Sequence, residues 1–191
     1  MHNFTKLKFP TDKPWLIIGK GPSFEKLPQN YNKTYYTLGL NHVFQRVSVD
    51  LGLFIDLDVL IGMTDCLATS LLCPIFPHVN FVPTKHRIDF IAKANPMVEY
   101  ISDKLYYFSH SKKPCEFPTI PVRFSSSEAA FAILGYMGVK EIHSIGLDGG
   151  KEYAETFQDL KPLTNGQADF NKQFKAIEVT LDRYNIRYKA L

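Results

Sequence analysis

The chain lacks any uninterrupted apolar stretch of the about 18 residues that a membrane-crossing helix needs. Its N-terminus, MHNFTKLKFPTDKPW, holds no apolar core of signal-peptide length. A cytoplasmic location with no membrane span is the expectation. Cysteine is scarce: Cys66, Cys73 and Cys115 share no CxxC spacing, so free thiols are expected in place of a disulfide framework or a zinc site. The six histidines (His2, His42, His78, His86, His110 and His143) show no HxH or HxxxH spacing. Each reads as structural or exposed, and His42 stands out only because it follows Asn41 at an expected strand end. Net charge is +3 with His neutral, too mild to argue for a nucleic-acid partner. The small basic cluster in HSKKP reads as a solvated loop. Internal repeats and low-complexity segments are absent as well.

What is present fits one α/β domain spanning 1–191. Hydrophobic residues make up 45% of the 191 residues and charged ones 21%, enough apolar side chain for a real core. Strand-like runs recur at Trp15–Ile18, Tyr35–Asn41, Leu51–Asp56, Val79–Pro83, Lys104–Ser109, Glu141–Asp148 and Ile186–Leu191. The short continuous apolar runs suit strands buried on both faces of a parallel sheet. SSSEAAFAILGYMG reads as a helix, with Ser125 and Glu128 spaced as a capping box and Gly138 as its stop. A second helix is expected over 169–184, because Phe170, Phe174, Ile177, Leu181 and Tyr184 fall on one face. These aromatics read as core. A third helix is expected around VLIGMTDCLATSLL, residues 59–72. The alternation predicts a Rossmann-like three-layer α/β/α sandwich with a mainly parallel sheet.

In such folds ligands bind at the carboxyl ends of the strands. Gly19-Lys20-Gly21-Pro22-Ser23 follows the first strand. It reads equally as a tight turn or as a phosphate loop, whose glycines admit close approach and whose amides attract an anion. Asn41 follows the second strand and offers both a donor and an acceptor, to a nucleoside edge or to a turn. Asp56 follows the third, with Asp58 two residues on; it suits a ribose, a metal or a helix cap. Arg123 precedes Ser125, Ser126 and Ser127 at a helix start, where fixed charge and free amides favour an anion. Asp148 ends the sixth strand, as a ligand contact or a loop anchor. After it, Gly149 and Gly150 open a short lid-like loop over 149–168 that carries Lys151, Glu152 and Tyr153.

Taken together, LIIGKGPSFEKL, LGLNHVF, LFID, VRFSSSEAAFAILGYMGVKEIHSIGLD and IRYKAL resemble the bacterial sialyltransferases of glycosyltransferase family 42. They also resemble a wider GxGPS set that includes the motility-accessory-factor glycosyltransferases and the archaeal DUF115-type 6-hydroxymethylpterin pyrophosphokinases. The likeness covers roughly residues 14–60 and 120–191. It implies a CMP-sialic acid-type donor and no metal. Carried over, Gly19, Gly21, Pro22 and Ser23 would line the cytidine monophosphate end, Asn41 the nucleotide site, and Arg123 and Ser126 the donor. Asp56 stands where the sialyltransferases have Asn. Lys20 also replaces an Asn, and Gly150 falls where a lid tyrosine is expected, leaving Tyr153 as the substitute. The family's histidine base has no counterpart, since no His follows His143. Asp159 and Asp169 are the candidates for that role.

The leading expectation is therefore a glycosyltransferase-like enzyme that needs no cofactor, with Tyr153 and Asp148 as catalytic candidates. One alternative is a Mg-dependent pyrophosphokinase using Asp56, Asp58 and Asp148 as metal ligands. Another is a nucleotide-binding protein without catalysis. The expected partner is a nucleotide or nucleotide sugar, and a homo-oligomer is allowed.

Overall fold

The computed structural model describes residues 2–55, 59, 70–75, 104–109, 119–120, 122, 125–160 and 169–191. Their strands are β1 (His2–Asn3), β2 (Trp15–Ile18), β3 (Tyr36–Leu40), β4 (Leu51–Leu53), β5 (Ser70–Ile75), β6 (Leu105–Ser109), β7 (Glu141–Ile145) and β8 (Arg187–Ala190). They form one sheet in the order β1-β6-β5-β4-β3-β2-β7-β8. Every pairing in it is parallel. The α-helices among the described residues are a single turn, α1 (Tyr31–Thr34), and two longer ones, α2 (Ser126–Tyr136) and α3 (Lys172–Tyr184). This is the Rossmann-like α/β class that the sequence implies. No helix among the described residues is long and apolar enough to cross a membrane.

β2 shows why the continuous apolar run becomes a central strand. All four of its residues are buried, and alternate side chains serve opposite faces of the sheet. Leu16 and Ile18 join one core with Phe24, Phe44, Phe54 and Phe157. Trp15 and Ile17 join the other, beneath Ala129–Leu134 of α2 and Ile177 of α3. Right-handed crossovers explain which segments cover which face. The steps β2→β3→β4 run one way across the sheet, and their short 3₁₀ turns, Pro22–Lys26 and Asn41–Gln45, lie on the first face. The steps into β7 and β8 run the other way, so α2 and α3 lie on the second.

Two expectations need correction or restriction, and one strand is not foreseen. The helix expected over 59–72 is overturned at its end, where Ser70–Leu72 lie in β5, hydrogen-bonded between β4 and β6; residues 60–69 lie outside the described residues. A short apolar run fits either period, and two strand partners decide it. β1 escapes the sequence reading because two residues carry no period, yet it pairs with β6. The expected strand Val79–Pro83 lies outside the described residues. α2 begins as expected, with the Ser125–Glu128 capping box in place. Gly138 follows its end with φ +91, a left-handed stop.

Candidate functional site

The sheet order reverses at β2. The chain leaves it toward β3 and returns on its other side as β7. Such a switch point opens a crevice at the carboxyl ends of the two strands. Here the cleft holds about 520 Å³, open mouth included, and Gly19, Lys20, Gly21, Asn41 and Ser125–Ser127 all line it. Leu40, Gly146–Gly149, Glu152, Tyr153, Phe170 and Gln173 complete the wall. Asp56 and Arg123 lie outside the described residues, as does Asp58.

The glycine turn is fastened to β7. Gly19 N–H donates to Ile145 O and Gly21 N–H to Gly146 O, both at 2.8 Å. Ser23 N–H donates to Asp148 Oδ2, and Gly146 N–H donates to Ser23 Oγ, again at 2.8 Å. The amides of Gly19, Gly21 and Ser23 are thus committed within the protein. Of the two readings of this stretch, these three amides fit the tight turn and do not form a phosphate nest, because β7 and the neighbouring turn offer them carbonyl and carboxylate acceptors. Glycine serves close approach instead. A Cβ on Gly19 would overlap Gly146 O, and one on Gly21 would overlap the Asp148 carboxylate. Pro22 and Ser23 stand behind the cleft wall rather than in it. Asp148 is the anchor of this turn as well as a lining residue.

The opposite wall is built from helix ends. Asn41 takes a left-handed conformation, φ +52, uncommon for any residue but glycine and a recurrent mark of functional turns. Its Oδ1 accepts from Ser126 Oγ at 3.1 Å, joining the end of β3 to the start of α2. Ser127, almost fully buried, donates from Oγ to Gln173 Oε1 at 2.5 Å and lies 2.5 Å from Ser125 Oγ. Ser125 N–H donates to Glu128 Oε1 at 3.1 Å. The first-turn amides of α2 have no acceptor within a helix and carry the positive end of its dipole.

At the rim, Lys20 Nζ stands 4.2 Å from the centroid of the Tyr153 ring. That ring stacks on Phe170, with centroids 6.1 Å apart and 25° between planes. Ala154 N–H donates to Lys20 O at 2.7 Å. The following residues are tied down too. Thr156 N–H donates to Glu25 Oε1 at 2.9 Å, Arg46 pairs with Asp159, and Phe157 is buried. Residues 161–168 of the lid-like loop lie outside the described residues. Asp159 is held by Arg46, and Asp169 Oδ1 accepts from Asn171 N–H at 2.9 Å. Neither candidate base lines the cleft.

Sequence reasoning missed Gln173 and misplaced Phe170. Gln173 falls between Lys172 and Phe174, where a polar residue reads as solvent-facing, but the docking of α3 on α2 buries it. Phe170 fits the apolar face of α3 by spacing, yet it precedes the helix and turns to Tyr153.

No family model matches the chain, and neither does any curated protein. Solved structures do. The sialyltransferase CstII from Campylobacter jejuni, in complex with the substrate analogue CMP-3FNeuAc, superposes with a TM-score of 0.54 at 18% identity. The match covers 94% of this chain and 81% of that one. A Tyr-to-Phe variant of sialyltransferase CST-II with CMP gives 0.53 at 18% identity, with the same coverage. CST-II with a trisaccharide acceptor and CMP gives 0.51 at 19%. The chain is therefore similar in fold to a sialyltransferase of glycosyltransferase family 42.

Proposed function

We propose that the protein is a glycosyltransferase-like enzyme that binds a nucleotide sugar of the CMP-sialic acid type and transfers the sugar to an acceptor hydroxyl. The observation that carries this reading is the cleft at the β2/β7 switch point. There the Gly19–Gly21 turn meets Asn41 and the serine-led start of α2. The glycine turn, packed against Gly146 and Asp148, forms the floor of the cleft, and the opposite wall presents donors to an anion. The sugar–phosphate bond breaks as negative charge grows on the leaving nucleotide, and fixed dipoles aimed at that charge lower the barrier. The α2 amides, Lys20 and Tyr153 are assigned to this task, together with Arg123 by sequence likeness. Asp148 holds the turn while facing the ligand. The reaction needs no metal in this reading.

A second reading, nucleotide binding without transfer, is favoured by one observation. Asp159 and Asp169 are both engaged elsewhere, and no His follows His143, so the acceptor's base has no assigned residue. Thermal-shift measurement with CMP, CDP, UDP, GDP and ATP, with and without Mg²⁺, tests both, because a ligand stabilises the native state it binds. Stabilisation by CMP without metal is expected, and hydrolysis of a CMP-linked donor then separates transfer from binding alone. A response only to ATP with Mg²⁺ would replace both readings with phosphotransfer. No response to any nucleotide would end all of them.

A further inference from the structure

Two serine hydroxyls of the α2 wall donate onto side-chain amide oxygens. Ser126 Oγ gives its proton to Asn41 Oδ1. Ser127 Oγ gives its proton to Gln173 Oε1, and Ser125 Oγ lies 3.4 Å from the same oxygen. Both amide side chains therefore have their oxygens turned inward, onto hydroxyl protons. A carboxamide turned this way presents its NH₂ on the other side. The hydrogen bonds of the Gln173 side chain all end on Oε1, and those of the Asn41 side chain on Oδ1. Gln173 is only 6% exposed, and the surface it retains lines the cleft. The amide nitrogen of Gln173 is not among the buried atoms left without a partner, so it keeps access to the cleft, where water or a ligand can accept from it.

We infer that Gln173 is a ligand-binding residue whose Nε2, beside Asn41 Nδ2 and the first-turn amides of α2, donates to an oxyanion of the ligand. The two amide side chains and the helix start then present N–H donors together, which favours an oxygen cluster bearing lone pairs and no protons. In a nucleotide sugar that chemistry has two sources, the phosphate and a carboxylate on the sugar. The inference takes the nature of the ligand from the proposed function, but its geometry stands on Gln173 itself.

The test is calorimetric titration of the wild-type chain, Gln173→Leu and Gln173→Glu with CMP, cytidine, inorganic phosphate and free sialic acid, alongside their melting temperatures. Loss of one hydrogen bond to a charged group is expected to weaken oxyanion binding about tenfold or more in Gln173→Leu. Cytidine, which has no oxyanion, should bind as before. Weakened CMP binding assigns Nε2 to the phosphate. Unchanged CMP with weakened sialic acid assigns it to the carboxylate. Gln173→Glu keeps an oxygen for Ser127 but replaces the donor with an acceptor, so it tests the idea even if the leucine variant does not fold. It should lose CMP or sialic acid by more than Gln173→Leu does and keep cytidine. A variant that melts earlier but binds every probe within about twofold of wild type would make Gln173 purely structural and overturn the inference while leaving the nucleotide reading intact. If the wild type binds phosphate or sialic acid but not CMP, the nucleotide reading falls, and the variants still decide on Gln173. If it binds none of the four, both fall.

Discussion

The back-to-back packing of two glycine turns can be tested by adding a single methyl group. In Gly19→Ala the new Cβ would overlap Gly146 O and lie 2.6 Å from Leu147 Cδ2 and 2.9 Å from Gly146 C. Two of these three atoms are backbone and cannot rotate away. Gly19 has no positive φ, so the cost is steric and not conformational. Overpacking of this kind typically costs about 1–3 kcal/mol. For a chain of this size each kcal/mol moves the melting temperature by about 2–4 °C, so Gly19→Ala should melt roughly 2–12 °C below wild type. Gly146→Ala meets the same overlap from the other side, against Gly19 O, and adds a left-handed φ of +72. That conformation costs a further ~1–2 kcal/mol for an alanine, so it should melt lower still. Gly138→Ala is the control, with φ +91 and nothing within 4 Å of the new Cβ, and it carries the conformational cost alone. Differential scanning calorimetry on the three variants gives the order. If Gly19→Ala melts within about 1 °C of wild type, the ends of β2 and β7 are free to part. The cleft floor is then not held in the way the Gly19 and Gly21 hydrogen bonds indicate.

Three other perturbations separate roles within and around the cleft. Tyr153→Phe keeps the ring between Lys20 and Phe170, so CMP should bind as in wild type while hydrolysis of a CMP-linked donor falls by roughly 10²-fold; unchanged turnover would remove the Tyr153 hydroxyl from the chemistry. Arg46→Ala breaks an ion pair whose side chains are 39% and 60% exposed. Such pairs contribute about 0.2–1 kcal/mol, so the melting temperature should drop by no more than about 4 °C and by less at high salt. A larger drop would make Arg46 a structural clamp on residues 149–160. Tyr31 donates its hydroxyl to Ser48 O at 2.6 Å, and burial, then the charge of Asp50, raises its pKa above 10.0. The folded state therefore keeps this proton to higher pH than the unfolded chain does. The resulting stability is intact below the ordinary tyrosine pKa and is lost as pH rises through the folded value. Tyr31→Phe should flatten that alkaline loss in urea midpoints taken on either side of about pH 10; an identical slope in both proteins would refute the linkage.

What the sequence discloses follows from what each element needs. β2 is legible because a strand buried on both faces must be apolar at every position, and Trp15–Ile18 are. The start of α2 is legible because capping is local chemistry, and Ser125 and Glu128 are three residues apart. The position of the cleft is legible from the rule about strand ends. Its chemistry is less so. Whether the Gly19–Gly21 amides face a ligand depends on where the end of β7 lies, more than a hundred residues away in the chain, and no local pattern encodes that. β5 fails for a related reason: Ser70–Leu72 fit two periods, and only the flanking strands choose between them. Gln173 and Phe170 are missed because the docking of one helix end on another turns a solvent-type position and a core-type position into cleft wall.

The two walls of the cleft divide the electrostatic work differently. On the α2 side the donors are dipoles whose orientation is fixed before any ligand arrives, since Ser126 and Ser127 lock the amides of Asn41 and Gln173 by their oxygens. Preorganised dipoles need no rearrangement when an anion arrives, so the wall adds affinity without a reorganisation cost. On the rim the charge belongs to Lys20, a flexible side chain resting on the face of Tyr153. A cation on an aromatic face keeps its charge while giving up part of its hydration shell, so it meets an arriving oxyanion with less water to displace. In the proposed reaction the fixed wall would set which anion binds and the rim would follow its changing charge. Exchanging Lys20 for Asn should therefore affect turnover more than affinity, whereas exchanging Gln173 should affect affinity first. The opposite ordering would give the developing charge to the α2 wall alone and leave Lys20 as a binding residue only.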